Sequence, residues 1–152
     1  MMGQSKTIEE SIFKLFKEMN FILKGFQNDT VVSENITFRQ FFILEYIATH
    51  EKLKMTELNA LLHVEKSTTT RLIEPLVRRG LIEKRKSDLD LRVFELSLTD
   101  EGKRVHKAVL MSVYEYIKNI SKFIPIEKQE NMKDTLQVFV NACTKCCEVW
   151  YG

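Results

Sequence analysis

A chain of 152 residues with 44% apolar and 29% charged side chains suits one soluble domain, or two small lobes sharing a core. The formal net charge is only +2, so bulk charge announces no nucleic-acid partner, and no apolar run approaches the roughly 20 residues needed to cross a bilayer. The opening MMGQSKTIEE lacks the apolar core of a secretory signal, which points to a cytoplasmic protein with no membrane partner.

Ile8, Ile12, Leu15, Phe16, Met19, Ile22, Leu23 and Phe26 recur at steps of three and four, predicting a helix over 8–26 with a broad apolar face. A looser polar stretch, QNDTVVSEN, follows. In TFRQFFILEYIATH, Thr37 with Gln40 three residues on is a capping-box signature, and Phe38, Phe41, Phe42, Leu44 and Ile47 predict a buried helix. MTELNALL predicts a short helix with Thr56 as N-cap and Glu57 near the positive end of the dipole. HVEK makes a tight connection to a second helix from about Lys66 to Arg79, which Gly80 closes as a residue able to take positive φ. Pro75 interrupts that helix, where a proline costs about 3 kcal/mol. The carbonyl it orphans belongs to Arg71 on the outer face, so the helix is expected to run through Pro75; the rival reading ends it at Ile73 or Glu74.

Past Gly80 the period changes. LIEKRKS and RVFELSL alternate as strands do, with DLDL supplying the turn. Thr99 then caps a helix with Asp100 and Glu101 in its first turn. Its apolar stripe comprises Val105, Ala108, Val109, Tyr116, Ile117, Ile120 and Phe123, and Pro125 ends it. A last helix carries Met132, Leu136, Phe139, Val140, Cys143, Cys147 and Trp150. The predicted fold is mainly α with a small β-hairpin: a winged helix-turn-helix lobe over 37–98, with helical regions in 1–36 and 99–152. The outer helices 8–26, 103–123 and 127–149 carry more apolar surface than the lobe covers. A twofold homodimer with intertwined ends accounts for them, and a monomeric helical bundle is the rival.

Charge is uneven along the chain. Residues 66–98 hold 8 Lys/Arg against 5 Asp/Glu, an excess of +3, as a local phosphate-binding patch requires. On the helix from Lys66, Thr69, Leu72, Ile73 and Leu76 form an inward stripe, while Ser67, Thr68, Arg71, Pro75 and Arg78 face outward. Small hydroxyls permit close approach to base edges, and arginine pairs bidentately with guanine O6 and N7. Lys66 and Thr70 lie at the margin, where phosphate contact is expected. An intramolecular pair with Glu74 is the competing fate of Arg71. The hairpin adds Lys84, Arg85, Lys86 and Arg92, suited to a flanking minor groove, with Asp90 placed to hold Arg92 through a carboxylate–guanidinium pair.

The segments EKSTTTRLIEPLVRRGLIEKR and DLDLRVFELSLTDEG resemble the MarR family of bacterial transcription regulators over about residues 37–104. Asp90, Arg92, Leu98, Thr99 and Gly102 fall where that family has its wing Asp and Arg and its Leu-Thr…Gly helix start. Leu91 stands where the family often has a first wing arginine. The resemblance implies a regulator, by analogy a repressor, that binds a pseudo-palindromic duplex as a homodimer. It also implies release by a small aromatic or anionic effector in a cleft that Phe16, Phe42, Tyr46 and Tyr114 would line if they are not simply core.

Two other readings stand beside this one. CTKCC places Cys143, Cys146 and Cys147 together, which would suit a thiol or soft-metal sensor. Cys143 and Cys147 continue an apolar stripe, and His50, His63 and His106 lie in other segments, so packing is preferred and no metal or cofactor is expected. A winged helix can also serve as a protein-interaction adaptor, though its exposed face would then be apolar or acidic. No phosphate loop, zincin motif or nucleophile elbow suggests an enzyme.

Overall fold

The computed structural model describes residues 7–27, 31–50, 52–62 and 66–151, the side chains of 23–27 and 147–151 excepted. The predicted HVEK connection (His63, Val64, Glu65) and the side chains of Leu23, Phe26, Cys147 and Trp150 lie outside the described residues. The elements are α1 (Ile8–Gln27), β1 (Val31–Ser33), β2 (Ile36–Thr37), α2 (Phe38–Thr49), β3 (Leu53–Lys54), α3 (Met55–Leu62), α4 (Lys66–Arg78), β4 (Ile82–Lys86), β5 (Phe94–Leu98), α5 (Asp100–Ser121) and α6 (Ile126–Tyr151). The described chain divides into two compact units, with the break after Ser112 within α5.

In the first unit, a core of Phe41, Ile43, Leu44, Ile47, Leu53, Leu58, Ile73, Leu76, Leu96, Val105 and Val109 joins α2 to α5. β5 lies between β3 and β4 in a three-stranded antiparallel sheet, with Ile82 opposite Leu98 and Leu53 opposite Leu96. Three strands are additions to the predicted set. The stretch read as loose and polar contains β1 and the turn of the β1–β2 hairpin, and the turn residues Glu34 and Asn35 both take φ of 53°. The two-residue β3 is visible only through its pairing with β5.

Local signals set the helix ends. Thr37 and Gln40 form both halves of a capping box: Thr37 Oγ1 accepts from the Gln40 amide, and Gln40 Oε1 accepts from the Thr37 amide. Thr37→Ala is expected to cost about 1 kcal/mol, read as a lower thermal midpoint with an unchanged helical spectrum. Thr56, predicted as the cap of α3, lies inside it. The sheet draws Leu53 and Lys54 into extended backbone, so the helix begins at Met55, and Glu57 accepts from the Lys54 amide at 2.8 Å. Phe42, expected in the core, is 50% exposed, because Phe41 and Ile43 on either side of it take the inward positions of α2. Between α2 and α5, His106 hydrogen-bonds the Glu45 carboxylate (2.5 Å) and stacks on Phe41.

α4 runs unbroken through Pro75 and closes in a Schellman motif. Gly80 donates to Val77 O and Leu81 to Leu76 O, both at 2.9 Å, with Gly80 at φ 68°. α5 starts on that closure. Thr99 Oγ1 donates to Gly80 O at 2.6 Å and accepts from the Gly102 amide at 2.9 Å, while the Thr99 amide donates to Leu81 O at 3.1 Å.

In the second unit, Tyr114, Ile117, Ile120, Phe123, Leu136 and Val140 leave apolar surface open on α5 and α6. In the first unit α1 does the same through Ile8, Ile12, Leu15, Phe16 and Ile22. None of the helices, among the described residues, is long and apolar enough to cross a membrane.

Candidate nucleic-acid interface

The inward stripe of α4 buries Thr69, Ile73 and Leu76 and half-buries Leu72, as the wheel predicted. That fixes the rotation of the helix. Lys66, Ser67, Thr70 and Arg71 are exposed, Thr68 is half-buried, and Pro75 sits half-buried at the edge of the outer face. The Thr70 hydroxyl turns back to Lys66 O at 3.0 Å, so its donor is used within the helix.

Arginine partners separate the cations of α4. Glu74, the competitor proposed for Arg71, pairs with Arg78 instead, at 3.7 Å. Among the described residues, the Arg71 side chain has neither hydrogen-bond nor ion-pair partner. A guanidinium left unpaired beside short hydroxyl side chains keeps its planar fork for an external acceptor pair. Arg79 differs: its guanidinium donates to the carbonyls of Asn35 and Glu34, both at 2.8 Å. Sequence reading treated Arg79 only as the end of the helix. The β-branched residues flanking Glu34-Asn35 were the signal for a hairpin there, but nothing in sequence links that turn to Arg79.

In the wing, the strands place Lys84, Arg85 and Lys86 in a row opposite Leu96, Glu95 and Phe94. Lys84 lies over the Phe94 ring, 4.3 Å from its centroid, and Arg85 pairs with Glu83 at 2.8 Å. Lys86 and Arg92 are exposed and, among the described residues, their side chains have no partner. The expected Asp90–Arg92 carboxylate–guanidinium pair is corrected: Asp90 Oδ1 accepts the Arg92 backbone amide at 2.9 Å. Asp90 therefore shapes the turn that presents Arg92 and leaves the guanidinium alone.

Phe16 and Phe42 are exposed and Tyr46 is half-buried in the first unit; Tyr114 is exposed in the second. Cys143 is half-buried and Cys146 exposed, and no group of three metal-ligating side chains gathers among the described residues.

A short helix pair, a polar and basic second helix and a basic β-wing define a winged helix-turn-helix DNA-binding protein. Residues 36–94 match the MarR family model. Among relatives, the HTH-type transcriptional regulator SarZ of Staphylococcus saprophyticus is 27% identical over 113 residues, covering 70% of this chain and 72% of SarZ. The HTH-type transcriptional repressor MdtR of Bacillus subtilis is 32% identical over 74 residues, 49% of this chain and 48% of MdtR. Among solved structures, apo MarR from E. coli superposes with a TM-score of 0.71 at 19% identity, covering 90% of this chain and 98% of that one. PcaV from Streptomyces coelicolor, solved with its natural ligand, gives 0.63 at 22% identity over 94% and 98%. The family match covers the winged helix-turn-helix segment, and the relatives that share it are transcriptional regulators.

Proposed function

We propose that this chain is a MarR-family transcriptional repressor that binds a pseudo-palindromic operator as a homodimer and leaves it when a small aromatic or anionic effector binds. The observation that carries the reading is the outer face at the start of α4, where Ser67 and Arg71 are exposed and Arg71 has no partner among the described residues. In a dimer, two such faces about 34–36 Å apart meet successive major-groove turns on one side of a duplex. Ser67, Thr68 and Arg71 read base edges; Lys66, Thr70 and Arg78 lie nearer the phosphates, with Arg78 exchanging Glu74 for a phosphate oxygen. Lys86 and Arg92 reach the flanking groove from the wing, which Lys84 and Arg85 support with added positive charge.

The exposed apolar residues of α1, α5 and α6 supply the dimer surface, since exposed apolar stripes of this extent are uncommon on monomers. Repression follows the name of MdtR, and effector control follows PcaV, which was solved with its ligand. Phe16, Phe42, Tyr46 and Tyr114 are the aromatic candidates for effector contact. The effector would shift the equilibrium only by its differential affinity for the two spacings of α4.

Selection of bound fragments from random duplexes, followed by salt titration, tests the reading. A symmetric consensus and a steep salt slope are expected. Lys86→Ala should weaken all duplexes alike and reduce the slope by about one; an unchanged slope would remove Lys86 from the interface.

A further inference from the structure

The β1–β2 turn is bonded from two helices. Arg79 forks onto its two carbonyls, Nη1 to Asn35 O and Nη2 to Glu34 O, both at 2.8 Å. The Glu34 carboxylate accepts from Arg104 Nη2 at 3.3 Å, and Glu101 holds the same guanidinium at 2.7 and 2.9 Å. These two carboxylates, Glu101 foremost, raise the Arg104 pKa above the ordinary arginine range. Further along α5, Ser112 Oγ donates to Ser33 Oγ at 3.2 Å. Eight residues of helix separate Arg104 from Ser112, roughly 12 Å of rise. The hairpin therefore spans from the C-terminal end of α4 to two points on α5, and Ile36, wholly buried, fixes it to the core.

Each of these polar contacts is exposed or part-exposed, so individually they add little to stability. Their geometric effect is larger. The buried Thr69, Ile73 and Leu76 seat α4 on the core, and the Schellman closure and Thr99 fix where its end sits. The Arg79 fork adds a further attachment beside that end, to a different element. Its planar donors match two neighbouring carbonyls, which a lysine ammonium cannot do. The carbonyls are adjacent because Glu34 and Asn35 both hold positive φ.

We propose that the β1–β2 turn is a brace for the recognition helix, and that Arg79 is a positioning residue that sets the tilt of α4 without touching DNA. The proposal rests on the reading that α4 enters the operator. Base contacts demand close placement of Ser67, Thr68 and Arg71, whereas phosphate contacts by long cationic side chains tolerate a small rotation. Loss of the brace should therefore lower specific binding and spare non-specific binding.

The experiment measures affinity for the selected operator and for an unrelated duplex, over a salt series, for the wild type, Arg79→Ala, Arg79→Lys, Glu34→Pro and Arg79→Ala/Glu34→Pro. Proline cannot take positive φ, so Glu34→Pro opens the turn while leaving Arg79 in place. Thermal melts correct each affinity for the folded fraction, and Arg79→Lys keeps the charge if a larger change unfolds the chain. Arg79→Ala and Glu34→Pro are each expected to weaken operator binding about tenfold. The unrelated duplex and the salt slope should be unaffected, Arg79→Lys should fail to restore the operator affinity, and the double variant should be no weaker than either single. A salt slope lowered by about one in Arg79→Ala would make Arg79 a phosphate contact and overturn the brace. So would additive losses, or an operator affinity unchanged after correction for folding. A wild type that binds neither duplex would sink the α4–DNA reading itself, and the brace with it.

Discussion

Gly102→Ala is expected to destabilise the protein, against the direction that helix propensity alone gives. Replacing glycine by alanine inside a helix ordinarily gains about 1 kcal/mol. Here a Cβ at Gly102 would lie 2.0 Å from Leu81 O and 2.9 Å from Leu81 C. Those are backbone atoms, so no rotamer change relieves the overlap, and the first turn of α5 must move off the end of α4. Overpacking of that kind costs about 3 kcal/mol or more. The net loss is about 2 kcal/mol or more, a fall in Tm of roughly 4–8 °C for a chain of this size. Displacement of α5 also strains the Thr99 bonds to Gly80 and Leu81. Gly80→Ala is the control: nothing lies within 4 Å of its Cβ position, and only the left-handed backbone at φ 68° opposes alanine, about 1–2 kcal/mol. Calorimetry on the two variants compares them directly. A Gly102→Ala protein as stable as the wild type would mean that α5 does not start against Leu81.

Arg71→Ala should carry the largest functional effect. Removing a bidentate contact to guanine costs about 1–3 kcal/mol of discrimination, or roughly 5- to 150-fold in operator affinity per contact. A dimer makes the contact twice. The substitution touches no buried atom and no described partner, so the melting temperature should stay near that of the wild type. It should also relax preference at one base position in each half-site, where Lys86→Ala leaves sequence preference intact. Electrophoretic shifts on the selected operator and on half-site variants separate the two outcomes. If operator affinity survives Arg71→Ala, the unpaired guanidinium is merely solvated.

Most of the helical framework was legible in the residues, because its signals are local. Thr37 with Gln40, Gly80, and Thr99 with Asp100 and Glu101 are caps readable from neighbouring residues, and the structure uses each as a helix end. The outer face of α4 followed from periodicity, and Thr69, Ile73 and Leu76 do fill the core. What escaped depends on distant partners. β3 has two residues and exists through β5, more than 40 positions away. That pairing put extended backbone right up to Met55, so α3 has the predicted extent, MTELNALL, but Thr56 lies inside it and is not its cap. Arg79 reaches Glu34 and Asn35 across 45 and 44 positions, and no spacing rule predicts such a bond. Phe42 failed for a different reason: adjacent apolar residues on a helix cannot all face one core, and composition does not say which yields. Asp90 was matched to the right neighbour but to the wrong donor, since its side chain is short enough to close on the Arg92 amide two residues on.

Interference by guanine-N7 methylation on the selected operator tests the central claim most directly, because N7 lies in the major groove where the start of α4 is assigned. The account predicts two clusters of interfering guanines about 10 base pairs apart on one face of the duplex, with one guanine in each losing its effect in Arg71→Ala. A single cluster, or binding indifferent to methylation at every guanine, would contradict it.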